Sequence, residues 1–281
     1  MKAVGKFRVV MLAGFACLSF QFLTLECDAE ILSDGNSSAS IDPRSQAGMY
    51  NWSVNGQNQL YQQWFWYRIG LTPEQSIDTI SEPAVTQIGT NKLNTVHRNQ
   101  TFSVEIGYTL NGTSPPNGIS DIEETIKISN LTAAPLDFHF FQYSDFDLLG
   151  YAGGEVVELG KTRGLFNDAY QVDGDLALTE TVTVPGAKHG EVDYYHNTRD
   201  RLNDEDVTTL NDNVGPVGPG DVTWALQWDF TIAPSGQIGS QVVISKDKYL
   251  SVVPEPTSLS LLFTALLGLA GLDYLRRRRR S

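Results

Sequence analysis

The sequence predicts an all-β fold, an antiparallel β-sandwich, on three observations. Apolar residues recur at every second position wherever the body shows a pattern, the spacing of a strand with one buried face. No stretch of the body has the spacing of a long amphipathic helix. The short runs, at roughly 8–15 residue intervals, are punctuated by Asn-Gly and Pro-Gly, dipeptides suited to tight turns.

Taken in order, residues 30–48 are rich in Ser, Asp and Asn and read as a flexible leader, with the sandwich spanning 49–252. Trp64, Phe65, Trp66 and Tyr67 are adjacent aromatics, so their side chains point to alternate faces of a doubly buried strand. Phe102, Val104, Ile106, Tyr108 and Leu110 alternate with polar residues, and Asn111-Gly112 then turns the chain. Ile122, Ile126 and Ile128 mark the returning strand. Leu136 to Tyr143 is apolar on both faces, as a central strand should be. Leu176 to Val184 and Trp224 to Phe230 alternate again, and Pro234-Ser235-Gly236 turns into Ile238–Ile244. Between them, Arg199–Asn213 is a polar excursion and Val214–Gly220 a loop.

Composition narrows the function. The chain has 281 residues and a formal charge of −13. Eight of its 20 Lys and Arg lie in the two terminal segments, so the body carries about −18. Such a surface repels nucleic acid and favours divalent cations or cationic partners. Both cysteines, Cys17 and Cys27, fall in the N-terminal segment, so a disulfide framework is not expected.

Candidate chemistry is sparse. Asp145 and Asp147 share parity at a strand end, which suits a general acid/base pair or an oxygen-ligand cation site, and equally a solvated turn. Asp173 and Asp175, and Asp204 and Asp206, sit in oxygen-rich loops of the kind Ca²⁺ uses, without the spacing of an EF-hand. No cofactor is expected, Ca²⁺ at these aspartates being the alternative to solvated charge. Trp64, Trp66 and Tyr67 would form a sugar platform if they were not core, since flat rings stack on pyranose faces. His97, His139, His189 and His196 lack metal-ligand spacing, although His189 and His196 lie near Asp193 in a predicted loop. No nucleophile elbow, phosphate loop or dinucleotide fingerprint is present.

The two ends read as addresses. Lys2, Lys6 and Arg8 precede an apolar run, and small residues before Ala29 offer a signal-peptidase site between Ala29 and Glu30, making 1–29 a signal peptide. Val253-Pro254-Glu255-Pro256 opens a short linker, 253–257. An apolar stretch over 258–275 follows, the length of a short transmembrane helix, and then a basic tail, 276–281, containing Arg276, Arg277, Arg278, Arg279 and Arg280. Arginines mark the cytoplasmic side, so the body lies outside the cytoplasm.

This C-terminus resembles the PEP-CTERM sorting signal of exported proteins in Gram-negative bacteria that make exopolysaccharide. The resemblance implies export by the general secretion machinery, a transient inner-membrane anchor, and processing by an exosortase, with the mature form at the cell surface or secreted. The expectation is therefore a non-enzymatic surface or matrix module. The alternatives are a carbohydrate-binding module for exopolysaccharide and a secreted hydrolase using Asp145 and Asp147.

Overall fold

A computed structural model of the protein describes residues 29–252, and the calls on the signal peptide, Val253 to Pro256, the apolar span and the arginine tail lie outside them. The described residues form eighteen strands. In chain order the first nine are β1 (Glu30–Asp34), β2 (Ser37–Asp42), β3 (Gly48–Val54), β4 (Gln57–Asn58), β5 (Gln62–Ile69), β6 (Gln75–Ser76), β7 (Ala84–Ile88), β8 (Lys92–Arg98) and β9 (Phe102–Gly112). There follow β10 (Ser120–Asn130), β11 (Leu136–Asp145), β12 (Glu155–Thr162), β13 (Leu165–Asp173), β14 (Leu176–Val184), β15 (His189–Tyr194), β16 (Val217–Gly220), β17 (Val222–Ile232) and β18 (Gln241–Val252).

These strands form two nine-stranded sheets. The first runs β1-β2-β3-β5-β11-β17-β15, with β4 and β6 attached, and the second β16-β12-β13-β14-β18-β10-β9-β8-β7. Pairing is antiparallel except between β3 and β5. The sheets share one aromatic-rich core, in which Phe65 stacks on Phe140 at 5.4 Å and Tyr67 meets Phe102 of the opposite sheet at 5.0 Å. Among the described residues no helix is long and apolar enough to cross a membrane.

Three local readings are corrected. Residues 30–48 are not a leader: β1 and β2 form a hairpin that buries Leu32, Ala39 and Ile41. Its two-residue turn is Gly35-Asn36, and Gly35 holds φ +51°, where an added Cβ would lie 2.3 Å from the Thr113 carbonyl oxygen. Composition concealed a turn whose mechanism is local. Val217–Gly220, read as loop, is edge strand β16. His189, also read as loop, opens β15.

The excursion after β15 has a structural task. It begins as helix α1 (Asn197–Leu202) and then covers the outer face of the first sheet, burying Leu202 and Leu210. Backbone donors in this segment are taken up by side chains of the sheet and its flank, the Leu210 N–H by Gln227 at 3.0 Å and the Thr208 N–H by Glu74 at 3.1 Å. Glu74 also pairs with Arg68 at 2.9 Å. The first sheet is thus buried on both faces, which explains why Trp64–Tyr67 of β5 and Phe140–Phe141 of β11 place apolar side chains on both faces.

Four charges lie wholly inside the sandwich. Lys248 contacts Glu124 at 2.7 Å and Glu180 at 3.2 Å, and Lys246 pairs with Glu124. Gln63 and Gln142 of the facing sheet donate to Glu124 at 3.3 Å and Glu180 at 3.0 Å. The quartet is neutral overall. Burial alone would raise Glu124, but the two ammonium groups outweigh it and hold the carboxyl at about 2, below its ordinary 4.5. A carboxyl depressed on folding stabilises fully above its unfolded value and loses that contribution as pH falls through the folded one. About 3 kcal/mol is therefore expected to disappear between about pH 4.5 and about pH 2. Urea unfolding across this window measures it, and a Glu124→Gln variant with the same acid slope as the parent protein would count against it.

Candidate functional site

The candidate site forms where β5, β11 and β17 come together at one end of the first sheet. Antiparallel register sets Asp145, the last residue of β11, between Gln62 of β5 and Thr223 of β17. Extending that register by two residues carries Asp147 beyond β11 and Asp221 ahead of β17 to opposing positions. One carboxylate oxygen from each of Asp145, Asp147 and Asp221 lies within 4.8 Å of the others, a group able to hold a metal ion.

Asp145 is buried and the other two are half-buried. The Tyr143 hydroxyl, on the same face of β11, donates to Asp145 Oδ2 at 3.2 Å. Asp145 Oδ1 is buried without a hydrogen-bond partner. Burial pushes Asp145 up to about 8, and Asp147 and Asp221 push it the same way. Asp147 is raised by burial and then by Asp221, and Asp221 is raised by burial against the opposing pull of His196.

Two cavities meet at Tyr61. The smaller, ≈ 100 Å³, is lined by Tyr61, the three aspartates, Ala152 and Tyr195. The larger, ≈ 290 Å³, is lined by Ala47, Tyr50, Tyr61, Gln62 and Arg199. Tyr61 is 49% exposed and meets Tyr195 edge-on at 5.9 Å. Arg199 lies over the Tyr195 ring at 5.2 Å and donates to Gln62 Oε1 at 2.9 Å. A recess of ≈ 600 Å³ between Gly35–Ser38 and Pro115–Pro116 is bigger, but it has no charged or aromatic lining.

The other predicted site residues lie elsewhere. Trp64, Trp66 and Tyr67 are core, at 1%, 0% and 7% exposure, so none offers a face to a sugar. Their polar atoms are already engaged, Trp64 by Ser76 at 2.8 Å, Trp66 by Asn203 at 3.0 Å and Tyr67 by Gln75 at 3.0 Å. Asp173 ends β13, Asp175 is in the following turn, and Asp204 and Asp206 are exposed after α1. Among the described residues these four do not gather into a ligand group. His196 pairs with Asp200 at 2.7 Å and His189 with Asp212 at 3.1 Å, so the two histidines do not share a site. Ala29 and Glu30 stand at the start of β1. Sequence reasoning missed Tyr61, Arg199 and Asp221: Tyr61 stands just before the aromatic run, Arg199 in a polar excursion and Asp221 at the end of a Gly/Pro loop, and none sits in a motif.

The fold is similar to two proteins that handle sugars. One is a bacterial glucoamylase crystallised with acarbose, with a TM-score of 0.56 and 9% identity over 84% of this chain and 33% of that one. The other is an Escherichia coli K12 protein assigned as an aldose 1-epimerase, with a TM-score of 0.55 and 9% identity over 80% of this chain and 99% of that one. The chain spans about a third of the glucoamylase's length. No family model matches the chain, and no curated protein does.

At 9% identity the likeness is one of fold. It corrects the expectation of a non-enzymatic surface module, because the body has an architecture found in sugar-processing enzymes. The same likeness corrects the recognition as a PEP-CTERM sorting-signal protein, since it places the body beside glucoamylase and aldose 1-epimerase structures. Against the hydrolase reading, Asp145 and Asp147 offer oxygens within 4.8 Å of each other, closer than the about 5–9.5 Å at which two carboxyl groups flank a glycosidic bond.

Proposed function

We propose that this is a carbohydrate-active protein that takes a saccharide in the recess formed by Tyr50, Tyr61, Gln62 and Arg199. One observation carries the reading: two tyrosines, a guanidinium and an amide converge on ≈ 290 Å³ of open space, on a fold shared with sugar-handling enzymes. Tyrosine faces match the apolar C–H faces of a pyranose. Arg199 has further N–H donors for hydroxyl groups, and Gln62 Oε1, which already accepts from Arg199, holds that guanidinium in place. The volume suits a mono- or disaccharide, near the lower end of small-ligand sites, about 300 Å³.

Calorimetry of the full chain against a panel of neutral and acidic mono- and disaccharides tests the proposal. Tyr61→Ala and Arg199→Ala are each expected to weaken binding about tenfold or more, a loss of about 1.4 kcal/mol, while the melting temperature shifts little because both side chains are partly exposed. A sugar that binds is then followed by proton NMR, where faster anomeric equilibration than in buffer would make the protein an enzyme. Absence of heat with every sugar, or binding untouched by both substitutions, would remove the recess as the site.

A further inference from the structure

We infer that Asp145, Asp147 and Asp221 form a Ca²⁺ site at the end of the first sheet, adjoining the recess at Tyr61 but independent of the sugar reading. The acidic cluster alone would not carry this. The second observation is Asp145 itself, which is 1% exposed and lines the cavity; its Oδ1 is buried without a hydrogen-bond partner, while its Oδ2 takes the Tyr143 hydroxyl. An orphaned, buried carboxylate oxygen costs several kcal/mol unless a cation or donor meets it. Among the described residues none of the three carboxylates makes an ion pair, although Arg199 and His196 are near enough for their fields to reach Asp145 and Asp221.

Donor chemistry selects the ion. The cluster contains only oxygen ligands, with no thiolate or imidazole, which suits a hard cation. Ca²⁺ takes carboxylate oxygens at about 2.3–2.6 Å in a flexible shell, whereas Mg²⁺ demands a near-ideal octahedron at about 2.1 Å. Three carboxylates with oxygens within 4.8 Å of one another, set by strand ends and not by a dedicated octahedral cage, suit the more tolerant ion. Three carboxylates leave part of a six- to eight-oxygen shell open. The cavity of ≈ 100 Å³ has room for the ion and a few waters to complete it. With all three carboxylates ionised the cluster would carry −3, which a divalent ion would reduce to −1.

The full chain, stripped of metal with chelator, is titrated with CaCl₂ at constant ionic strength, so that screening is held fixed. One saturable site per chain is expected, with a melting temperature about 3–5 °C higher at tenfold over the dissociation constant than in matched NaCl. Asp147→Asn and Asp221→Asn are each expected to weaken binding about tenfold or more, and reading them separately guards against one failing to fold. Asp204→Asn with Asp206→Asn should bind as the parent protein does. Terbium emission sensitised by the neighbouring tyrosines, and competed away by Ca²⁺, reports the same site without substitution. The proposal is overturned if the parent protein shows no saturable Ca²⁺ binding, if terbium is not sensitised, or if affinity survives both single substitutions or falls in the Asp204/Asp206 variant.

Discussion

Lys248→Met is expected to lower the unfolding free energy by about 3–5 kcal/mol. Lys248 is fully buried and bridges Glu124 and Glu180, so its removal leaves two carboxylates with Lys246 alone and a net negative charge in the core. The cost comes from the charge left behind and not from loss of attraction as such. The double variant Glu124→Gln with Lys248→Met removes one charge of each sign and should be more stable than Lys248→Met by itself. Urea midpoints of the parent and both variants decide the matter. If the double variant were weaker by the sum of two separate losses, charge balance would not be what the quartet maintains.

Trp66→Ala carries an effect of similar size, about 3–5 kcal/mol, through a different mechanism. The indole is wholly buried, meets Tyr143 edge-on at 6.3 Å and donates to Asn203 Oδ1 at 3.0 Å. Truncation empties a large volume beneath the segment that follows α1 and removes the donor to Asn203. Tyr61→Ala, which removes a ring that is 49% exposed, should stay within about 0.5 kcal/mol. The pair separates core from site: Trp66→Ala should melt early, whereas Tyr61→Ala should fold and fail to hold sugar. A Trp66→Ala protein that melted with the parent and lost only sugar binding would reverse the assignment.

The fold was legible to the extent that it depends on neighbours in sequence. Alternation at Phe102–Leu110 and at Trp224–Phe230 predicted strands that are present as β9 and β17, and the doubly apolar Leu136–Tyr143 is the centre of the first sheet. The buried quartet left a trace too. Glu124 has the parity of Ile122 and Ile126, Glu180 that of Leu178 and Val182, and Lys246 and Lys248 that of Ile244 and Leu250. Charges at inward positions of three strands are visible breaks in the pattern, but the pattern cannot tell which break meets which. Adjacency of β10 and β14 to β18, opposing Glu124 to Lys246 and Glu180 to Lys248, makes them one neutral cluster.

By itself the sequence determined the all-β class, seven of the eighteen described strands and the acidic surface, because the burial of one face and the net charge are properties of local spacing and composition. Only the tertiary structure decided that Trp64, Trp66 and Tyr67 are core, since a run of aromatics is the same string whether or not a later segment covers it. It also decided the site. Asp147 and Asp221 are distant in sequence and meet because β11 and β17 pair in a particular register, and a shift of a single residue would have turned those side chains to opposite faces.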